Sequence, residues 1–255
     1  MKLSRRNIFR LSLFTLLAVS LAVLSGCHQE QKSLIVYAGK GLKKPVEEIR
    51  QLFENRYNIP VSAIYAGSDT LQTTIQKTRK GDIFIPGSAH YIDTLQNKAT
   101  TSRFVAKHIP TFIVHPDGNN HLQSFADLMQ EGVKIAVGNK DMCAIGKVAE
   151  KIISSSEQQE AFRRNIVITG STVNELLNLV AQHEVDAALA WEDMIKWPEA
   201  KGMKLIPIPE TMNTPKQIKI AVLASSTSPK TAAMFVDFVT TEGKKIFAEH
   251  GFRVE

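Results

Sequence analysis

The sequence predicts an α/β protein of two lobes, each a mostly parallel sheet flanked by helices, with a ligand cleft between them. Three observations predict it. Short apolar runs of the kind buried in parallel strands alternate with segments of helical periodicity. The runs end in Gly/Ser turns that pass straight into the next helix. The alternation also comes in two series, divided by the turn cluster His115-Pro116-Asp117-Gly118-Asn119. In open sheets of this kind ligands sit beyond the carboxyl ends of the strands, so the Gly/Ser turns mark the side on which a site is expected.

In chain order, the first strand is Leu34-Ile35-Val36-Tyr37-Ala38, followed by Gly39-Lys40-Gly41 and a helix carried by Val46, Ile49, Leu52 and Phe53. Pro45 suits the first turn of that helix, where a missing N–H costs nothing. Residues 58–66 form the next strand, which turns through Gly67-Ser68 into a helix over 71–80. A strand that ends in Gly-Ser and becomes a helix leaves N–H groups and a hydroxyl at the positive helix end, a small anion socket. The competing reading of Ser68 is an ordinary N-cap. Asp82 to Ile85 is a third strand, closed by Pro86-Gly87-Ser88 before a helical stretch over 89–96. A polar stretch over 97–103 separates it from a strand over 109–114.

The second series opens with a helix over 124–129, with Ser124 as its cap and Asp127 three residues on. A strand over 133–137 leads through a loop containing Asn139, Met142 and Cys143 to a helix ending near Ile153. A strand over 166–169 leads through Gly170-Ser171-Thr172 to a helix over 173–183. A strand over 186–190 ends at Trp191-Glu192-Asp193. The segment over 205–208 opens a proline-marked connection through Pro209 and Pro215 to a strand over 218–224, and helices over 229–240 and 242–250 close the chain. The expected division is residues 34–112 with 217–255 in the first lobe and 113–216 in the second.

Ahead of the fold, Lys2, Arg5, Arg6 and Arg10 precede the apolar run Leu11 to Leu24 and Leu24-Ser25-Gly26-Cys27. A basic front, a short apolar core and small residues read as an export signal over 1–26, too short to span a membrane comfortably. Leu-Ser-Gly-Cys resembles a bacterial lipobox, which implies a lipid on Cys27 and residues 27–33 as a tether. Ser4 to Arg10 is similar to a twin-arginine export motif, although ordinary secretory signals also carry paired arginines. Four of the six net positive charges lie in the signal, leaving about +2 on the rest, so the basic balance gives no case for nucleic acid. With Cys27 acylated, Cys143 is the single free thiol and stability must come from packing.

The chain resembles the periplasmic molybdate-binding proteins, the substrate-binding subunits of ABC importers. The resemblance spans 34–254 and is most specific at Tyr65 to Ile75, Gly81 to Ile85, Val137 to Lys151, Val173 to Trp191 and Glu242 to Phe252. It implies two lobes that close over a tetrahedral oxyanion of the molybdate or tungstate kind, an ABC permease with its ATPase as partner, a monomer, no catalysis and no cofactor. Ser68 matches a serine that holds the anion, and Gly67 lies beside it. Gly87, Ile145 and Val173 align with backbone positions around the ligand. Gly41 stands where the family has a second serine, and Trp191 stands where it has a ligand-binding tyrosine. Lys40 offers a point charge in place of the lost hydroxyl. Glu192 and Asp193 follow Trp191, and a carboxylate facing the cleft would oppose a dianion.

Rival readings remain. Cys143 with His115, Glu192 and Asp193 invites a metal, but neither Cys-x-x-Cys nor His-x-x-x-His occurs, and a lone Cys reads as a small buried apolar residue. An enzyme would need a nucleophile with its base, yet no Gly-x-Ser-x-Gly, phosphate loop or metalloprotease motif is present. The same fold could also hold a different small ligand, whether another anion, a small carboxylate or a metal, or serve as a sensory binding module without transport.

Overall fold

The computed structural model describes residues 33–95, 99–115 and 122–255. The export segment, Cys27, most of the tether and the Pro116 to Asn119 part of the turn cluster lie outside them.

The first sheet begins with β1 (Leu34–Gly39), β2 (Val61–Ala66) and β3 (Ile83–Ile85), which pair in parallel with β1 in the middle. The cause is legible in β1 itself. Leu34, Val36 and Ala38 pack into one apolar cluster while Ile35 and Tyr37 face another, so the strand is covered on both sides and reads as a continuous apolar run. One face is covered by α1 (Lys43–Tyr57), whose Val46, Ile49 and Phe53 recur at helical spacing. The other is covered in part by Leu71 and Ile75 of α2 (Ser68–Thr78). A four-residue helix, α3 (His90–Asp93), follows β3.

Two further strands, β4 (Ala99–His108) and β10 (Lys216–Leu223), complete this sheet in the order β2-β1-β3-β10-β4. The edge strand β4 has ten residues, the first half of which lies in the stretch read as polar. Its first half is largely exposed and pairs only with β10, so it carries no apolar alternation to betray it. The chain leaves it at Ile109 and enters β5 (Pro110–Val114), which lies wholly in the second sheet. The change of sheet therefore comes ahead of residue 112, where the expected boundary stood.

The second sheet repeats the plan in the order β7-β6-β8-β5-β9. Here β6 (Ile135–Gly138) pairs in parallel with β7 (Ile166–Gly170) and β8 (Ala187–Trp191), and β5 runs antiparallel to β8 and to β9 (Lys204–Pro207). Its helices are α4 (Ala144–Ser155), α5 (Gln159–Asn165) and α6 (Val173–Ala181). The short, mostly polar α5 falls in a stretch to which the sequence pattern assigns no element. The helix expected over 124–129 is a 3-10 turn, Ala126–Met129, in which Asp127 accepts from the backbone N–H and hydroxyl of Ser124 at 2.7 and 2.8 Å.

The chain returns to the first sheet as β10 (Lys216–Leu223), antiparallel to β3 and β4. It ends in α7 (Pro229–Thr240) and α8 (Glu242–Glu249), whose Phe235, Phe238 and Phe247 join Phe53 in the core over the outer face. Each sheet thus holds three parallel strands extended by antiparallel ones. The innermost of those, β10 in one sheet and β5 in the other, is delivered by the chain as it crosses between lobes.

Candidate functional site

The carboxyl ends of the parallel strands of both sheets face one cavity. Lys40, Gly41, Gly67, Ser68, Gly87, Ile145, Val173 and Trp191 all line it, so the structure brings together every ligand-contact position read from the sequence outside the lipid anchor. Gly39, Leu42, Ala66, His108, Cys143, Ala144 and Thr172 complete the wall. About 20 Å³ is open to the centres of water-sized atoms. The cavity is therefore small.

Ser68 is placed by the end of β2 and the start of α2. Gly67 is the residue before the helix, in extended conformation, and no side chain caps the helix. Ser68 is therefore not an N-cap. Its Oγ instead accepts the Gly87 N–H at 3.0 Å, and its side chain is buried. The hydroxyl proton is left to donate, since an N–H occupies an oxygen lone pair. Gly87 contributes to the wall by holding that hydroxyl. A Cβ at Gly67 would lie 2.1 Å from the Met142 carbonyl oxygen and 3.0 Å from that of Ser171, so this glycine is where the two lobes touch backbone to backbone.

The opposite wall starts at helix ends of the second lobe. Cys143 precedes α4 without a side-chain cap, and Ala144 and Ile145 form the first turn. Thr172 caps α6 weakly, accepting the Glu175 N–H at 3.4 Å, while the Glu175 carboxylate accepts the Ser171 N–H at 2.7 Å. N–H groups at such helix starts favour an anion. Trp191 ends β8 and is 2% exposed. A Cβ at Gly41 would stand 3.1 Å from Val173 Cγ2, 3.6 Å from Trp191 Cδ1 and 3.9 Å from Trp191 Nε1. The indole thus occupies the space beside position 41, and the two departures from the resembling family are sterically one: where a side chain is missing, the larger ring stands.

His108, the last residue of β4, belongs to the wall and was not identified from sequence. Its Nδ1 lies 3.1 Å from the Gly87 carbonyl oxygen, which can only accept, so Nδ1 carries the proton. The ring stacks on Trp191 at 4.3 Å and 9°. Burial pushes its titration down to about 3, and burial likewise raises the Asp193 carboxyl well above the usual range. The two approach at 3.6 Å, and burial of both disfavours the charged forms that an ion pair would need. The one local signal was a polar residue immediately before the Ile109-Pro110 passage between lobes.

The remaining charges resolve the concern about carboxylates. Both carboxylate oxygens of Glu192 accept from Arg253 Nη2, at 3.0 and 2.9 Å, Asp193 is buried behind the His108 ring, and no carboxylate lines the cavity among the described residues. Lys40, half-buried, is the cation of the wall. Cys143 is buried, with Sγ 3.5 Å from the Asn139 carbonyl oxygen and its thiol pushed up to about 11 by burial. Among the described residues, no three His, Cys, Asp or Glu side chains gather as a metal-holding group. Nor is any described helix long and apolar enough to cross a membrane.

Comparison with known proteins gives a consistent result. Residues 34–253 match the family described as bacterial extracellular solute-binding protein. A Haemophilus influenzae protein whose description says no more than that it binds is 30% identical over 241 residues, covering 93% of this chain and 97% of its own. The Azotobacter vinelandii periplasmic molybdate-binding protein superposes with a TM-score of 0.75 at 14% identity, over 88% of this chain and 100% of its own. Peb3, a Campylobacter jejuni protein, superposes in its L-phospholactate-bound form with a TM-score of 0.72 at 17% identity, over 88% and 100%. At such identities the structures establish the fold, two lobes of mixed α/β architecture, and the sequence match establishes the family: this chain belongs to the bacterial extracellular solute-binding proteins.

Proposed function

We propose that the protein captures a small oxyanion of the molybdate or tungstate kind by closing its lobes, and hands it to an ABC permease and its ATPase while a lipid on Cys27 holds it at the membrane. The observation that carries this reading is the character of the cavity wall. It is small, free of carboxylates among the described residues, and supplied from both lobes with neutral donors. An unprotonated oxyanion only accepts hydrogen bonds, so the free Ser68 hydroxyl proton, the Trp191 indole N–H and uncapped helix N–H groups are the partners it needs. Lys40 adds a point charge. A ligand held from both sides favours the closed population because it meets all its donors only there.

The test is a thermal-shift panel on the protein lacking the lipid anchor, with molybdate, tungstate, sulfate, chromate, phosphate, small carboxylates and divalent metals. Stabilisation by one or more tetrahedral oxyanions is expected, with titration calorimetry ranking them. A shift with metals alone, or with carboxylates alone, overturns the reading in favour of another small ligand.

A further inference from the structure

Ser68 and Trp191 reach the cavity from opposite lobes, and one imidazole touches what fixes each of them. His108 donates from Nδ1 to the Gly87 carbonyl at 3.1 Å, and the N–H of the same glycine donates to Ser68 Oγ at 3.0 Å. The same ring lies flat against the Trp191 indole at 4.3 Å. We propose that His108 is the positioning residue of the anion site, setting the Ser68 hydroxyl by fixing the backbone of Gly87 and the Trp191 indole through ring stacking, so that donors from both lobes are held in register by one side chain. This rests on the oxyanion reading above.

The arrangement is directional. The Gly87 carbonyl and N–H belong to successive peptides joined at one Cα, so the bond from Nδ1–H fixes the orientation of that residue, and the N–H bond accepted at Oγ leaves the Ser68 hydroxyl the stronger donor toward the cavity. The ring is 1% exposed, with Phe252 packed at a centroid distance of 5.1 Å and Asp193 beyond Nε2, so it has no freedom to swing away. Burial keeps it uncharged, and a neutral ring with its proton on Nδ1 is the form that this geometry requires.

The experiment compares His108→Leu with His108→Asn. The Asn amide sits at the reach of Nδ1 and keeps the donor to Gly87, whereas Leu fills similar space without one. Calorimetry with the tightest oxyanion of the panel is expected to show about a tenfold weaker Kd for Leu, the loss that follows one buried hydrogen bond. Asn is expected to recover most of it. Hydrogen exchange at the Gly87 amide, measured without ligand, is expected to stay slow in wild type and Asn and to accelerate in Leu. Where Leu does not fold, Gln takes its place, since its amide lies one bond too far out. Leu or Gln binding as tightly as wild type, Asn no better than either, or one Gly87 exchange rate throughout overturns the proposal. If no oxyanion binds wild type, the functional reading fails, and the exchange rates still decide whether His108 positions Gly87.

Discussion

The Ser68 hydroxyl has two roles at once, accepting from Gly87 and holding a proton toward the cavity. Ser68→Ala removes both and leaves the buried Gly87 N–H without its acceptor. It is expected to weaken oxyanion binding by about 1 to 3 kcal/mol in calorimetry, with unchanged affinity removing Ser68 from the site. Asp193 makes a prediction in pH. Its carboxyl titrates higher in the folded protein than in the unfolded chain, so wild type loses stability as pH rises from about 4 through the raised value. His108 contributes the opposite slope between about 3 and 6.5, equally in wild type and in Asp193→Asn. The difference between the two therefore isolates Asp193. Urea denaturation should show the Asn variant gaining on wild type as pH rises above about 4. A constant difference would mean that Asp193 is already charged when folded. Ser68, Gly41 and Trp191 could be placed at the cavity from sequence because they lie in turns after apolar runs and the family resemblance points to those positions. His108 could not, because the burial and the stacking that make it part of the site come from Trp191 and Phe252, 83 and 144 residues further along.

The strands of the two lobes are fixed by the same device. Asp82, just before β3, accepts the Ile35 N–H at 2.9 Å on one oxygen, and the Ser226 hydroxyl and Thr227 N–H at 2.7 and 3.1 Å on the other. Asp186, just before β8, accepts the Lys134 N–H at 2.8 Å in the equivalent place. In both, the aspartate N–H returns to the carbonyl of the same partner at 2.9 Å. Because Asp82 is buried, Asp82→Ala strands several polar groups and is expected to cost about 3 kcal/mol in denaturant unfolding. The half-exposed Asp186→Ala should cost clearly less, and equal losses would show that burial is not what sets the difference. The covered strands β1, β6 and β8 were legible because both of their faces are apolar. The edge strand β4 was not, since half of it faces solvent and only its pairing with β10 makes it a strand.

Closure is governed by shape more than by charge. Lys44 reaches Glu199 at 2.6 Å and Lys147 reaches Asp69 at 3.9 Å across the cleft, but partly exposed pairs of this kind contribute only about 0 to 1 kcal/mol each. The Gly67 contact with the Met142 and Ser171 carbonyls is different, because backbone cannot yield as a side chain can. Gly67→Ala should hold the lobes apart, so that small-angle scattering shows no contraction with ligand and affinity falls about tenfold or more. A variant that contracts normally would show that the loops carrying Met142 and Ser171 adapt. The two-lobed plan was legible from the doubled strand-and-helix series, while the point of crossing was hidden by β4. That crossing has a consequence for how the chain comes into being. The first sheet has β3 as a raw edge until β10 arrives, and β10 follows every strand of the second sheet in the chain. A nascent polypeptide therefore cannot complete its first sheet until the strands of its second have been made. The order of the strands works as a delay, holding the first lobe incomplete while the second is being made.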